Sequence, residues 1–133
     1  MAGAAIGGGV GAGEARDLAN LYFENDGDGT FTEVGTVRGL GDTGKTYTTL
    51  PVDVDGDGDL DLYDANDFGA NRLYLNDGSG TFAEATAALG LEDDGEGMGL
   101  ALGDLDGDGR DDLFLTNRAD APTQTNALFV AQE

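Results

Sequence analysis

The chain has 133 residues, enough for one modest domain or a few repeat units, and carries 27 acidic against 6 basic residues, a formal charge of −21. That balance excludes a nucleic-acid backbone as partner, which demands a cationic footprint, and disfavours an anionic membrane surface. With neither cysteine nor histidine, the chain has no disulfide to staple it and no nitrogen or sulfur ligands for zinc.

In chain order, residues 1–13 are glycine-rich, with no basic start and only weak hydrophobicity, so they do not read as a signal peptide. They are expected to form a flexible lead. A poor inner strand over 5–10 is the alternative, because glycine there permits close backbone approach. Residues 18–25, the turn Asp26-Gly27-Asp28-Gly29 and residues 30–34 predict a β-hairpin. The Asp26/Asp28 run has only two spaced carboxylates and Val34 where a ninth ligand would stand, so it reads as a turn.

A strand is expected over 47–52, then the acidic stretch 53–61, a second strand over 60–66, a third over 71–75, a turn, and a fourth over 81–85. This second hairpin repeats the first: Asn76 matches Asn25, Phe82 matches Phe31, and Tyr74 is matched with Tyr22. Residues 87–91 are compatible with one helical turn. A small-residue strand over 98–103, a second acidic stretch over 104–112, a strand over 113–117 and a lone strand over 127–130 complete the chain. No apolar run approaches the 18 residues or so that a spanning helix needs.

The acidic stretches are the strongest signal. Asp53, Asp55, Asp57 and Asp61 occupy positions 1, 3, 5 and 9, with Gly58 at 6 and the backbone carbonyl of Asp59 at 7. Asp104, Asp106, Asp108 and Asp112, with Gly109 and the carbonyl of Arg110, repeat the pattern 51 positions later. Closely spaced carboxylates repel one another, and a hard cation relieves that repulsion, so the pattern predicts about two Ca²⁺ per chain. A single Asp-Gly run reads as well as a soluble turn, but two in phase with the same chemistry favour metal cages. Position 12, which supplies the closing Glu of an EF-hand, holds Asp64 and Leu115 in strand-like runs, so a helix–loop–helix is excluded. Asp59 and Asp111 are expected to point away from the cage.

Four short antiparallel strands in a period of about 51 residues predict an all-β fold of β-propeller blades, only about two and a half per chain. The expected division is the lead at 1–13, a partial blade without a metal loop at 14–43, a complete blade at 44–94, and at 95–133 a partial blade lacking its last strand. A small sandwich is the rival, though it does not require an in-phase repeat. Blades bury their faces only by stacking. The expected partners are therefore other copies closing a ring, or the remainder of a longer chain, with a protein or glycan ligand beyond.

Residues 53–62, 71–82, 97–103 and 104–113, with the earlier hairpin at 21–31, together resemble the FG-GAP/VCBS family of calcium-binding propeller repeats, found in the head of integrin alpha chains and in many bacterial secreted proteins. The resemblance covers 18–117. It implies Ca²⁺ held by Asp53, Asp55, Asp57, Asp61 and the Asp59 carbonyl, and a second ion held by Asp104, Asp106, Asp108, Asp112 and the Arg110 carbonyl. The first unit departs from the pattern in having no acidic loop. The expected function is a calcium-stabilised, non-enzymatic scaffold for binding or adhesion, secreted or extracellular, where calcium is millimolar. The alternatives are a lectin-like propeller, with Tyr22, Tyr47, Tyr63 and Tyr74 stacking on sugars, and a polysaccharide-active hydrolase or lyase using paired carboxylates. An aromatic on a strand is first of all expected to pack between blades.

Overall fold

The computed structural model describes residues 3–4, 19–118 and 125–131. Among these described residues, ten strands form three antiparallel sheets. The first holds β1 (Gly3–Ala4), β2 (Tyr22–Asn25) and β3 (Phe31–Glu33). The second runs β4 (Thr46–Val52), β5 (Asp61–Asn66), β6 (Arg72–Asn76) and β7 (Phe82–Glu84) in sequence order. The third holds β8 (Gly97–Gly103), β9 (Asp112–Asn117) and β10 (Ala127–Phe129). The all-β architecture expected from the repeat is thus present, as blades of a propeller that is not closed.

The hairpins form because asparagine and aspartate side chains satisfy the turn backbone while glycines take positive φ. Asn25 Oδ1 accepts from Gly27 N at 2.9 Å, and Asn76 Oδ1 accepts from Gly78 N and Gly80 N at 3.1 and 3.0 Å. A single helical turn follows each hairpin. Leu89 N donates to Ala85 O at 3.1 Å, at the position the sequence suggested, and Arg38 N donates to Val34 O at 2.8 Å, where no such turn was expected.

Strand register corrects one equivalence. β6 pairs Tyr74 with Glu84 and β2 pairs Phe23 with Glu33, so Phe23 is the counterpart of Tyr74, and Tyr22 that of Leu73. Gly3 and Ala4 pair with Phe23 and Tyr22, so the second strand of the first blade comes from the stretch expected to be a lead. The rest of that stretch, including the alternative inner strand over 5–10, lies outside the described residues.

Alternation gives each blade two faces. Leu50, Tyr63 and Leu73 stand in one cross-strand row on the middle blade, and the third blade packs onto it through Leu100, Leu102, Leu113 and Phe129. Tyr63 and Leu73 are fully buried there beside the largely buried Leu91, whose carbonyl accepts from the Tyr63 hydroxyl at 3.2 Å. The Phe129 ring sits 6.5 Å from that of Tyr63. On its other face the middle blade meets the first: the Phe82 ring lies edge-on to Tyr22 at 6.3 Å, and Phe82 N donates to Arg38 O at 2.7 Å. The tyrosines of the repeat are thus mainly packing groups, as expected.

The two seams differ in chemistry. Between blades one and two, Asn20 Nδ2 donates to Thr46 Oγ1 at 2.7 Å and to Asp64 Oδ2 at 3.1 Å, while Thr49 Oγ1 donates to Asp64 Oδ1 at 2.5 Å. Between blades two and three, Gly97, Leu100 and Leu115 stand where Thr46, Thr49 and Asp64 stood, and Leu115 is fully buried. Burial pushes the Asp64 carboxyl up to about 6, helped by Asp42, against the opposing hydrogen bonds from Thr49 and Asn20.

Two outcomes are expected. Because the folded-state value of Asp64 lies above that of an unfolded aspartate, its contribution is complete in acid and is lost as pH rises through about 6. Relative to Asp64→Asn, the native chain should therefore gain about 1 kcal/mol of stability from pH 7.5 to pH 5, read by urea denaturation in chelator. At Gly39, φ is +86° and a Cβ would run into the carbonyl oxygen of Phe82, whereas a Cβ on Gly29, at φ +97°, meets open space. Gly39→Ala should cost about 2 kcal/mol or more and Gly29→Ala about 1 kcal/mol; equal losses would show that the Arg38–Phe82 approach does not hold the first two blades together.

Candidate metal centre

Each acidic loop joins the first and second strands of its blade. Gly56 and Gly58 take φ of 77° and 95°, and Gly107 and Gly109 take 83° and 91°, which turns the loop backbone back on itself. The position-one carboxylate sits at the centre of this coil. Asp53 Oδ1 accepts from Gly56 N at 2.8 Å and Oδ2 from Gly58 N at 3.1 Å. Asp104 Oδ1 accepts from Gly107 N and Asp108 N at 2.7 and 3.0 Å, and Oδ2 from Gly109 N at 3.0 Å.

The position-nine carboxylate closes the loop from beneath. Asp61 is buried; its Oδ2 accepts from Val54 N at 2.9 Å and its Oδ1 from Asn76 N at 2.8 Å. Asp112, equally buried, accepts from Leu105 N at 2.8 Å and from Ala131 N at 3.0 Å. One side chain therefore fastens the loop start, its own strand and the region where the third strand of the blade ends. Desolvation raises the Asp61 pKa, opposed by the two backbone donors and reinforced by the charges of Asp55 and Asp57. A cation above the loop would reverse that penalty.

Carboxylate oxygens of Asp53, Asp55 and Asp61 lie within 4.8 Å of one another, and so do those of Asp104, Asp106 and Asp108. Opposed ligands of one Ca²⁺, each at about 2.3–2.6 Å, stand about 5 Å apart, so the oxygens of each cluster could meet on a single ion. Asp57 and Asp112 stand outside these close groups. One oxygen of Asp57 accepts from Asp59 N at 2.9 Å, and both oxygens of Asp112 are engaged by backbone donors. Asp108 is also ion-paired with Arg110. The Asp59 side chain turns toward the hairpin at Gly78, where an added Cβ would lie 2.6 Å from Asp59 Oδ2, in keeping with an outward position. A cleft of about 530 Å³ runs between the two loops, bordered by Asp53 and Asp55 on one blade and Arg110 and Asp111 on the next.

Sequence reasoning missed a second repeated polar set at the opposite end of the loop-following strands. Asn66 Nδ2 reaches Asp42 Oδ2 at 3.4 Å and Ala70 O at 2.8 Å, while Asn117 Nδ2 reaches Asp93 Oδ1 at 3.1 Å and Thr125 O at 2.8 Å. The backbone of Asn66 donates to Asn71 Oδ1 at 2.7 Å and that of Asn117 to Asn126 Oδ1 at 3.0 Å. The 51-residue spacing of Asp42 and Asp93, and of Asn66 and Asn117, was the available signal.

Two overlapping stretches, 10–64 and 53–115, match the FG-GAP-like repeat. The chain belongs to the FG-GAP-like repeat family. The second match runs from one acidic loop through the next. Human cartilage acidic protein 1 is 40% identical to the chain over 58 residues, 43% of this chain and 9% of that protein. The mouse protein of the same name is 38% identical over 58 residues, with the same coverage. The chain thus spans only 9% of the length of these curated relatives.

The position-nine clasp is expected to stabilise the blade even without metal. In chelator, Asp61→Ala leaves Val54 N and Asn76 N without their acceptor and should cost about 3 kcal/mol, while Asp55→Ala should cost under about 1 kcal/mol. Chemical denaturation of both variants checks this; losses of similar size would refute a special role for Asp61.

Proposed function

We propose that the chain is a calcium-stabilised structural module of an FG-GAP-type propeller, one Ca²⁺ to each acidic loop, acting as a scaffold for binding or adhesion outside the cell. The observation that carries this reading is the convergence of three carboxylates in each of two loops 51 residues apart. Asp53, Asp55 and Asp61 would hold one ion, with Asp57 and the Asp59 carbonyl completing the oxygens. Asp104, Asp106 and Asp108 would hold the other, with Asp112 and the Arg110 carbonyl.

An all-oxygen, multiply charged and irregular cage suits Ca²⁺, which takes six to eight oxygens in flexible geometry, better than Mg²⁺, which demands a strict octahedron and keeps its waters. Bound calcium would neutralise part of the −21 charge where it is densest and fix the path between two strands. The cartilage name of the two relatives accords with an extracellular setting, where such loops fill readily. The carboxylates are engaged by their own loop backbone, and most tyrosine rings by packing, which favours a scaffold over a hydrolase or a sugar-stacking lectin. Partners would meet the outward sheet faces and the rim between the loops.

Titration calorimetry of chelator-stripped protein should show two Ca²⁺ per chain, with Mg²⁺ at least tenfold weaker by order of magnitude. Asp55→Asn and Asp106→Asn should each leave one. A thermal midpoint unmoved by calcium, with no heat of binding, would refute the reading.

A further inference from the structure

The seam between neighbouring blades repeats in register, and among the described residues both halves of that seam are also exposed at the two ends of the stack. On the middle blade, Tyr63 and Leu73 receive the following blade and are fully buried. Their counterparts on the third blade, Phe114 and Leu128, face each other across β9 and β10 with Ala101 beside them, and are 36% and 49% exposed. On the leading face, Phe82 of the middle blade packs on Tyr22 of the blade before. Its counterpart on the first blade, Phe31, is 53% exposed, and Phe23, the counterpart of Tyr74, shares that face.

We propose that the first blade of a second copy of this chain docks on the outward face of the third blade, continuing the stack head to tail. The internal seams supply the template. The Phe129–Tyr63 contact becomes Phe23 of the second copy against Phe114, and the Phe82–Tyr22 contact becomes Phe31 of the second copy against Leu128. The surface is heterologous, because the row that receives and the row that inserts lie on different blades, so repeated docking closes a ring or grows a filament according to the rotation per copy. Both end faces present these aromatic and leucine side chains on a chain of charge −21, with Glu33 beside Phe23 accepting a hydrogen bond from Gly35 N. Copies therefore attract through the end faces and repel everywhere else, and association strengthens as salt is raised. The proposal rests on the repeat reading above and on packing, not on metal.

The test is sedimentation of the full chain over a hundredfold concentration range at moderate salt, with and without chelator. The native chain should show reversible, concentration-dependent growth in mass. Phe31→Glu disables the inserting face and Leu128→Glu the receiving face; both sites are exposed, so circular dichroism should remain that of the native fold. Each variant alone should associate at least tenfold more weakly, by order of magnitude, because a charge must be buried in an apolar contact. Mixed in equal amounts, the two should form a one-to-one dimer and nothing larger, through the one intact pair of faces. Phe68→Glu, on the loop after β5, should leave association within twofold. A native chain that stays monomeric throughout, a single variant that dimerises as tightly as the native chain, a mixture that stays monomeric, or a Phe68→Glu effect as large as the others would each overturn the proposal. Calcium titration of the same samples reads the metal loops separately.

Discussion

The middle and third blades depend on a buried carboxylate at the ninth position of the acidic loop each contains. Removing a charged oxygen pair from water is unfavourable unless hydrogen-bond donors replace the water. Asp61 and Asp112 find those donors at two distant points of chain: the start of their own loop, and the residues next to the third strand of the blade. The loop is thus anchored to the sheet at a fixed height, and the exposed carboxylates of positions one, three and five are presented above it. An ion bound there would complete an arrangement that the backbone has already organised.

The rest of the architecture follows from how each sheet is used on both sides. A lone four-stranded antiparallel blade of this size has too little apolar area to stand by itself. The middle blade is covered on both faces and contributes most of the buried core, whereas the flanking blades are each covered on one face. Phe31, Phe114 and Leu128 are therefore exposed where the stack stops, whereas Tyr47, Leu60, Phe68 and Leu89 are exposed on the strand ends and loops of the middle blade. Exposure in this chain reports position in the series of blades more than it reports sequence, because residues at equivalent registers differ in burial.

Much of this was legible in the sequence. Alternating apolar positions between Asn/Asp/Gly turns located β2 to β10 closely, and the in-phase acidic loops gave both the blade architecture and the metal candidates. What was not legible has physical reasons. Spacing groups four carboxylates on one loop but does not decide which of them converge: Asp61 and Asp112 accept equivalent backbone hydrogen bonds, yet Asp61 lies within its cluster and Asp112 outside. The identity of Tyr22 and Tyr74 suggested a match that register does not support, since a one-residue slip moves a side chain to the other face of a strand. The asparagines at 20, 71 and 126 look like ordinary turn formers, yet they tie strand ends to the neighbouring segment. β1 escaped because glycine and alanine carry no hydrophobic pattern.

The unlike chemistry of the two seams makes them answer differently to their surroundings. The two preceding blades carry an asparagine at the same place, Asn20 and Asn71, but only Asn20 meets a carboxylate, that of Asp64; at the same register the third blade has the hydrocarbon of Leu115. A change of acidity therefore reaches one join of the stack through a buried carboxyl that the other lacks at this register. Two contacts that repeat a single pattern thus differ in kind, one adjustable by protons and one held there by packing.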